Sequence, residues 1–172
     1  MVSAGKPIAL DMELVAGKGG KGKIVVDGLG VDLIAAERGV YVSGNSALYE
    51  TIAGPTAARV LQGRWLKVPP KSPSYAPLNS LASIEGLVDT TLADHGSLVA
   101  APSGTVDGVP AVGVRDPSKG ATLYVAATGV PYPLEIVKPA GGPGRIVFDR
   151  WNQPVTLKTP ADPISIEQLS GR

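Results

Sequence analysis

Apolar and polar residues alternate along most of this chain. In "KPIALDMELVAG", Ile8, Leu10, Met12 and Leu14 fall on one face of an extended segment and Asp11 and Glu13 on the other. That two-residue period predicts a strand with one apolar face. "GKIVVDGLGVDLIAAERGVYVSG" predicts three more short strands, the first two joined at Asp27-Gly28, a pair whose tolerance of positive φ suits a two-residue hairpin. Ile24 and Val26 oppose Lys23, Val25 and Asp27, while Leu29, Val31, Leu33 and Ala35 oppose Asp32.

The period then changes. Asn45 is placed to cap the helical stretch "SALYETIAG", which Gly54-Pro55-Thr56 interrupts before "TAARVLQG" resumes and closes at Gly63. This predicts two short helices, or one broken at Pro55. "RWLKVP" returns to strand, with Trp65 against Lys67, and the Pro/Ser run 69–77 reads as a surface connection. A helix is expected from Leu78 to Asp94, because Leu81, Ile84, Val88 and Leu92 recur on one stripe.

Everything after it reads as strand and turn. "SLVAAPSGTV", "VPAVGVRD", "ATLYVAAT", "YPLEIV", "GRIVFDRW" and "PVTLKTP" are separated by Asp107-Gly108, by the Pro117–Gly120 turn, by Gly129 and by the glycines around Pro143. Hairpin spacing of this kind favours an antiparallel meander over βαβ units. An antiparallel sheet of about ten or eleven strands tends to curl, and a curled sheet offers helices a concave apolar face to cover. The expected fold class is therefore α+β, a half-barrel.

Composition narrows the function classes. At 172 residues the chain is expected to form a single domain spanning 1–172. With 44% hydrophobic residues it is no disordered segment. A net charge of +1 supplies no field for nucleic acid, and a single Phe argues against base-stacking platforms. The absence of cysteine removes disulfides, thiol nucleophiles and Cys-based metal sites.

Candidate chemistry is sparse. "GKGGKGK" (17–23) fits both G-x-G-x-x-G and G-x-x-x-x-G-K, motifs that hold phosphate at a strand-to-helix turn. Here Ile24 occupies the Ser/Thr position and "IVVDG" continues as strand, so the run reads as a hairpin loop. Its lysines, Lys18, Lys21 and Lys23, are either solvated or in contact with anionic headgroups. His95, the only histidine, follows Asp94 at a predicted helix end, and Ser97 beside it cannot form a triad with it from adjacent positions. Carboxylates such as Asp11, Glu13, Asp32 and Glu135 are spread singly over polar faces, and there is no Asp-x-Asp loop or His pair to suggest a metal. The expectation is no enzyme and no cofactor. Trp65 and Trp151 read as packing residues.

Two stretches carry a resemblance. "YVSGNSALYETIAGPTAARVLQGRWLKVP" and "TLYVAATGVPYPLEIVKPAGGPGRIVFDRWNQPVTLKTP" resemble the LppX/LprG-type actinobacterial envelope lipoproteins of the LolA-like superfamily. The shared features are the tyrosine strand at Tyr41, the helix ending in "GRWLKV", the "TG-x-PYPL" hairpin, and Phe148 and Trp151 ahead of a proline. The resemblance runs from about Gly5 to Leu169. It implies a curved antiparallel sheet closed by helices around an apolar cavity that holds acylated lipid or lipoprotein acyl chains. It also implies export to the cell envelope and anchoring through a lipidated cysteine. This sequence has no cysteine and begins just before "GKPIALDMEL", so the family's first helix and strand are expected to be missing.

The resulting expectation is a monomeric, non-catalytic carrier of an acylated lipid or glycolipid, working at a membrane surface. Its cavity would be lined by Ile24, Val26, Leu29, Val31 and Leu33 from the early strands. Leu123, Val125, Leu134, Ile136, Ile146 and Phe148 would line it from the later ones, under a lid of Leu81, Ile84, Val88 and Leu92. The other reading is a filled core and an envelope sensor or protein-interaction module.

Overall fold

The computed structural model describes residues 2–3, 6–36, 39–92, 95–138 and 144–166. The fold is α+β, with mostly antiparallel strands and three helices among the described residues. The strands form two sheets in place of the single sheet expected. By contact, the chain gathers into two compact units, one of residues 8–91 and 155–172, the other of 1–7 and 92–154.

The larger sheet begins with β1 (Val2–Ser3), which folds back on the start of β2 (Lys6–Val15). It continues through β3 (Gly19–Val26), β4 (Leu29–Ala36) and β5 (Gly39–Gly44), each antiparallel to the last. The β3–β4 hairpin turns at Asp27 and Gly28, both at positive φ (53° and 78°), as these residue types predict. Cross-strand pairs set the polar face: Lys21 lies opposite Glu13 and bonds it at 3.1 Å, and Lys23 reaches Asp32 at 3.7 Å.

Asn45 closes this meander and starts α1 (Ser46–Leu61). Its Oδ1 accepts from the Leu48 amide (3.0 Å), and its Nδ2 donates to the Gly28 carbonyl (2.9 Å). One side chain thus caps the helix and pins the β3–β4 turn. The break expected near Pro55 falls at Gly54, whose φ of 79° no helix accommodates. Then β6 (Leu66–Val68) joins β5, and α2 (Tyr75–Leu81) and α3 (Ile84–Leu92) follow.

The helix expected over 78–94 is therefore two helices. They part at Ala82-Ser83, where the Ser83 Oγ accepts from the Gly86 amide (2.8 Å) and so competes with helix continuation. Ala82 is fully buried, packed with Ile24, Leu33, Ala35, Val40 and Val68 in the main core. A second core cluster, Tyr49, Ala58, Leu61 and Leu66, lies under α1.

The second sheet is a five-stranded meander in chain order: β7 (Val99–Val106), β8 (Val109–Asp116), β9 (Ala121–Ala126), β10 (Pro133–Val137) and β11 (Arg145–Val147). Asp107-Gly108 makes the expected hairpin turn, at φ 47° and 83°. Arg145, on the β11 edge, pairs with Glu135 and lies 3.8 Å from Asp107 in the β7–β8 turn at the opposite edge. Such a contact between opposite edges requires this sheet to coil strongly. "PVTLKTP" forms no strand. The last element is β12 (Ile164–Ser165), which pairs parallel to β6.

Candidate functional site

The residues expected to line one cavity are divided between the two units. In the first, Leu33 (0% exposed) and Ile24 (8%) sit inside the filled core, and Val26 and Leu81 pack against it. Leu29, Val31 and Ile84 are half-buried. In the second unit Leu123, Ile136 and Ile146 stand opposite one another on β9, β10 and β11 and share a face with Val125; all are half-buried, as is Leu134. Phe148 stacks on Trp151 (ring centroids 6.3 Å), which itself lies 4.8 Å from and nearly parallel to Tyr132. The Trp151 Nε1–H donates to the Pro133 carbonyl at 3.2 Å, so this tryptophan packs a turn. The side chains of Val88 and Leu92 lie outside the described residues.

A recess of about 680 Å³ lies elsewhere, and its described lining belongs to the first unit. Val15, at the end of β2, Lys18 in the β2–β3 turn and Ala36, at the end of β4, form one part of its wall; the run Val155–Thr159 forms the rest. The turn is fixed by Gly17, at φ 67°, and by the Lys18 amide, which donates to the Val15 carbonyl at 3.0 Å. Gly19 follows at φ 112°, where a Cβ would collide with the Ala35 carbonyl, so β3 and β4 meet at the recess only because residue 19 has no side chain.

The run 155–159 explains why a strand was expected there. Val155 and Leu157 are half-buried while Thr156, Lys158 and Thr159 are exposed, the alternation of a strand. Pro154 and Pro160 bracket it, and the run joins no sheet. The outcome is an amphipathic wall. Among the described residues, four aliphatic side chains, two threonines and two lysines line the recess, and no acidic one does.

Among the described side chains, none of the cavity-lining residues expected from the sequence borders this recess. Of its described lining, only Lys18 stands among the sequence candidates, as a loop lysine either solvated or in contact with anionic headgroups. The others gave no sequence signal, because the wall joins residues more than a hundred positions apart. "GKGGKGK" is a hairpin loop and the start of β3, as its context indicated.

Ionisable groups elsewhere are held by structure. Asp116 is nearly buried at the end of β8, and its carboxylate accepts from the Ser118 hydroxyl (2.6 Å), the Gly96 amide (3.0 Å) and the Lys119 and Ser118 amides. These bonds, led by the Ser118 hydroxyl, outweigh burial and hold its pKa at about 2. His95 is exposed, its Nδ1 3.0 Å from the Gly96 carbonyl oxygen. Among the described residues no group of three or more His, Asp or Glu side chains stands close enough to hold a metal ion, and no helix is long and apolar enough to cross a membrane. No family model, curated protein or solved structure matches the chain.

Proposed function

We propose that this protein is a non-catalytic carrier of acylated lipid in the cell envelope, of the LolA-like kind its sequence resembles, and that the acyl chain lies in the recess between the β2–β3 turn and residues 155–159. The observation that carries this reading is the lining itself: Val15, Ala36, Val155 and Leu157 offer an aliphatic floor open to a ligand. A volume of about 680 Å³ is that of a single-ligand pocket, which favours one acyl chain over a multiply acylated glycolipid. Each buried methylene contributes about 0.8 kcal/mol, so a few suffice for useful affinity without polar contacts. The coiling of the five-stranded sheet supports the half-barrel part of the same reading.

Lipid analysis of protein purified from its own source, beside displacement of a fluorescent fatty acid, tests the proposal. Acyl lipid should co-purify, and Leu157→Trp should lose the fatty acid while keeping its melting temperature. A protein that neither co-purifies with lipid nor binds the probe refutes it. The second reading, a protein-interaction module, is favoured by Leu98 and Val99, 52% and 47% exposed at the free edge of the five-stranded sheet. Failure to bind lipid turns the question to that edge.

A further inference from the structure

We infer that the recess selects a singly acylated amphiphile with an anionic headgroup, carboxylate or phosphate, held between the Lys18 and Lys158 ammonium groups. This rests on the carrier reading and specifies its ligand.

The argument is one of unmatched charge. Lys21 and Lys23, next along the same hairpin, are neutralised by Glu13 and Asp32 across the sheet. Lys18 and Lys158 border the recess from separate segments of chain, and among the described residues neither pairs with a carboxylate. Glu85 keeps its charge beside this turn, where it accepts from the Gly17 amide at 3.1 Å, but it does not line the recess. Among the described residues, the recess therefore has two cations, no anion in its lining and an aliphatic floor. That is the polarity of an anionic amphiphile turned inside out: the ammonium groups meet the headgroup as compact, three-donor charges, and the chain runs over Val15, Ala36, Val155 and Leu157. Thr156 and Thr159 add hydroxyls that can donate to the same oxygens. Both lysines are solvent-exposed, so the preference must weaken with salt.

The experiment compares laurate, a lysophosphatidate of equal chain length, and uncharged methyl laurate, each displacing a dansylated fatty acid from the full chain. At low salt one or both anions should bind about tenfold more tightly than the ester, the sum of two exposed charge contacts. Which anion binds better identifies the headgroup as carboxylate or phosphate. The Lys18→Gln/Lys158→Gln double variant should bring anion affinity down to that of the ester. Lys18→Arg/Lys158→Arg should restore the preference, and Lys71→Gln, an exposed lysine outside the lining, should leave it intact. Equal binding of anions and ester by the wild type overturns the headgroup inference while the carrier reading stands. A preference that survives in the Gln double variant overturns the assignment to these lysines. If no ligand displaces the probe, or the probe itself does not bind, the carrier reading falls and the inference with it.

Discussion

At the scale of single residues, two polar side chains do more than their neighbours. Tyr49 is 1% exposed, yet its hydroxyl is satisfied on both sides: it accepts from the Gly44 amide at 2.8 Å and donates to the Arg64 carbonyl at 3.3 Å. It thereby ties the end of β5 to the chain after α1. Tyr49→Phe keeps the ring and leaves those two backbone groups without their partner, so it should cost about 1–3 kcal/mol in denaturant unfolding; an unchanged midpoint would contradict the role. Asp116 acts through charge. Its carboxyl titrates at about 2 in the folded chain, below the ordinary 3.8, so the folded state holds fewer protons than the unfolded one between those values. Its stabilisation is present above about pH 4 and disappears as pH falls towards 2. Asp116→Asn should lower stability at neutral pH and flatten the acid limb of the stability curve in that window. A variant whose acid limb matches the wild type would show that the Ser118 and Gly96 contacts do not stabilise the fold.

At the scale of elements, local chemistry in the sequence specified what is local in the structure. Asp27-Gly28 and Asp107-Gly108 turn where their tolerance of positive φ predicts, and Asn45 caps α1 through the Leu48 amide. What escaped was long-range. No pattern tells that β12 will lie parallel to β6, because two residues carry no period. Nor does alternation in 155–159 reveal that no strand lies alongside the run to pair with it. The apolar stripe through Leu81 and Ile84 suggested one helix, but a stripe is blind to Ser83 capping a new turn. Gly20 shows how packing fixes that break. A Cβ there would stand 2.5 Å from the Leu14 Cδ2 and 2.9 Å from the Ala82 carbonyl oxygen, so the α2–α3 junction rests directly on the backbone of β3. Gly20→Ala should therefore destabilise by about 1–3 kcal/mol through overpacking, whereas Gly104→Ala, with open space around it, should be tolerated. Equal midpoints for the two variants, measured side by side, would show that the junction gives way freely.

At the scale of the whole molecule, the distribution of buried apolar residues is uneven between the two units. Ile24, Leu33, Ala35, Val40, Tyr41, Tyr49, Ala58, Leu61, Leu66, Val68 and Ala82 belong to the unit of residues 8–91 and 155–172. In the other unit, among the described residues, the only apolar side chains buried to that degree are those of Val106 and Ala111. Its strands hydrogen-bond chiefly to their chain neighbours, so it owes its order to local hairpin pairing more than to a core. Local opening free energy follows buried apolar contact, since a segment that exposes little new apolar surface on opening loses little. Native-state amide exchange should therefore find two classes. The amides of β3, β4 and β5 should exchange only through global unfolding, and those of β7, β8 and β9 through an opening of lower free energy with a smaller denaturant dependence. A ligand held in the recess would bear on the first class: it would contact Val15, Lys18 and Ala36, so saturating laurate should slow exchange in β2–β4 and leave β7–β9 unchanged below the global limit. Uniform protection along the chain would show that the two units unfold as one cooperative body, and slowing confined to β7–β9 would move the ligand site out of the recess altogether.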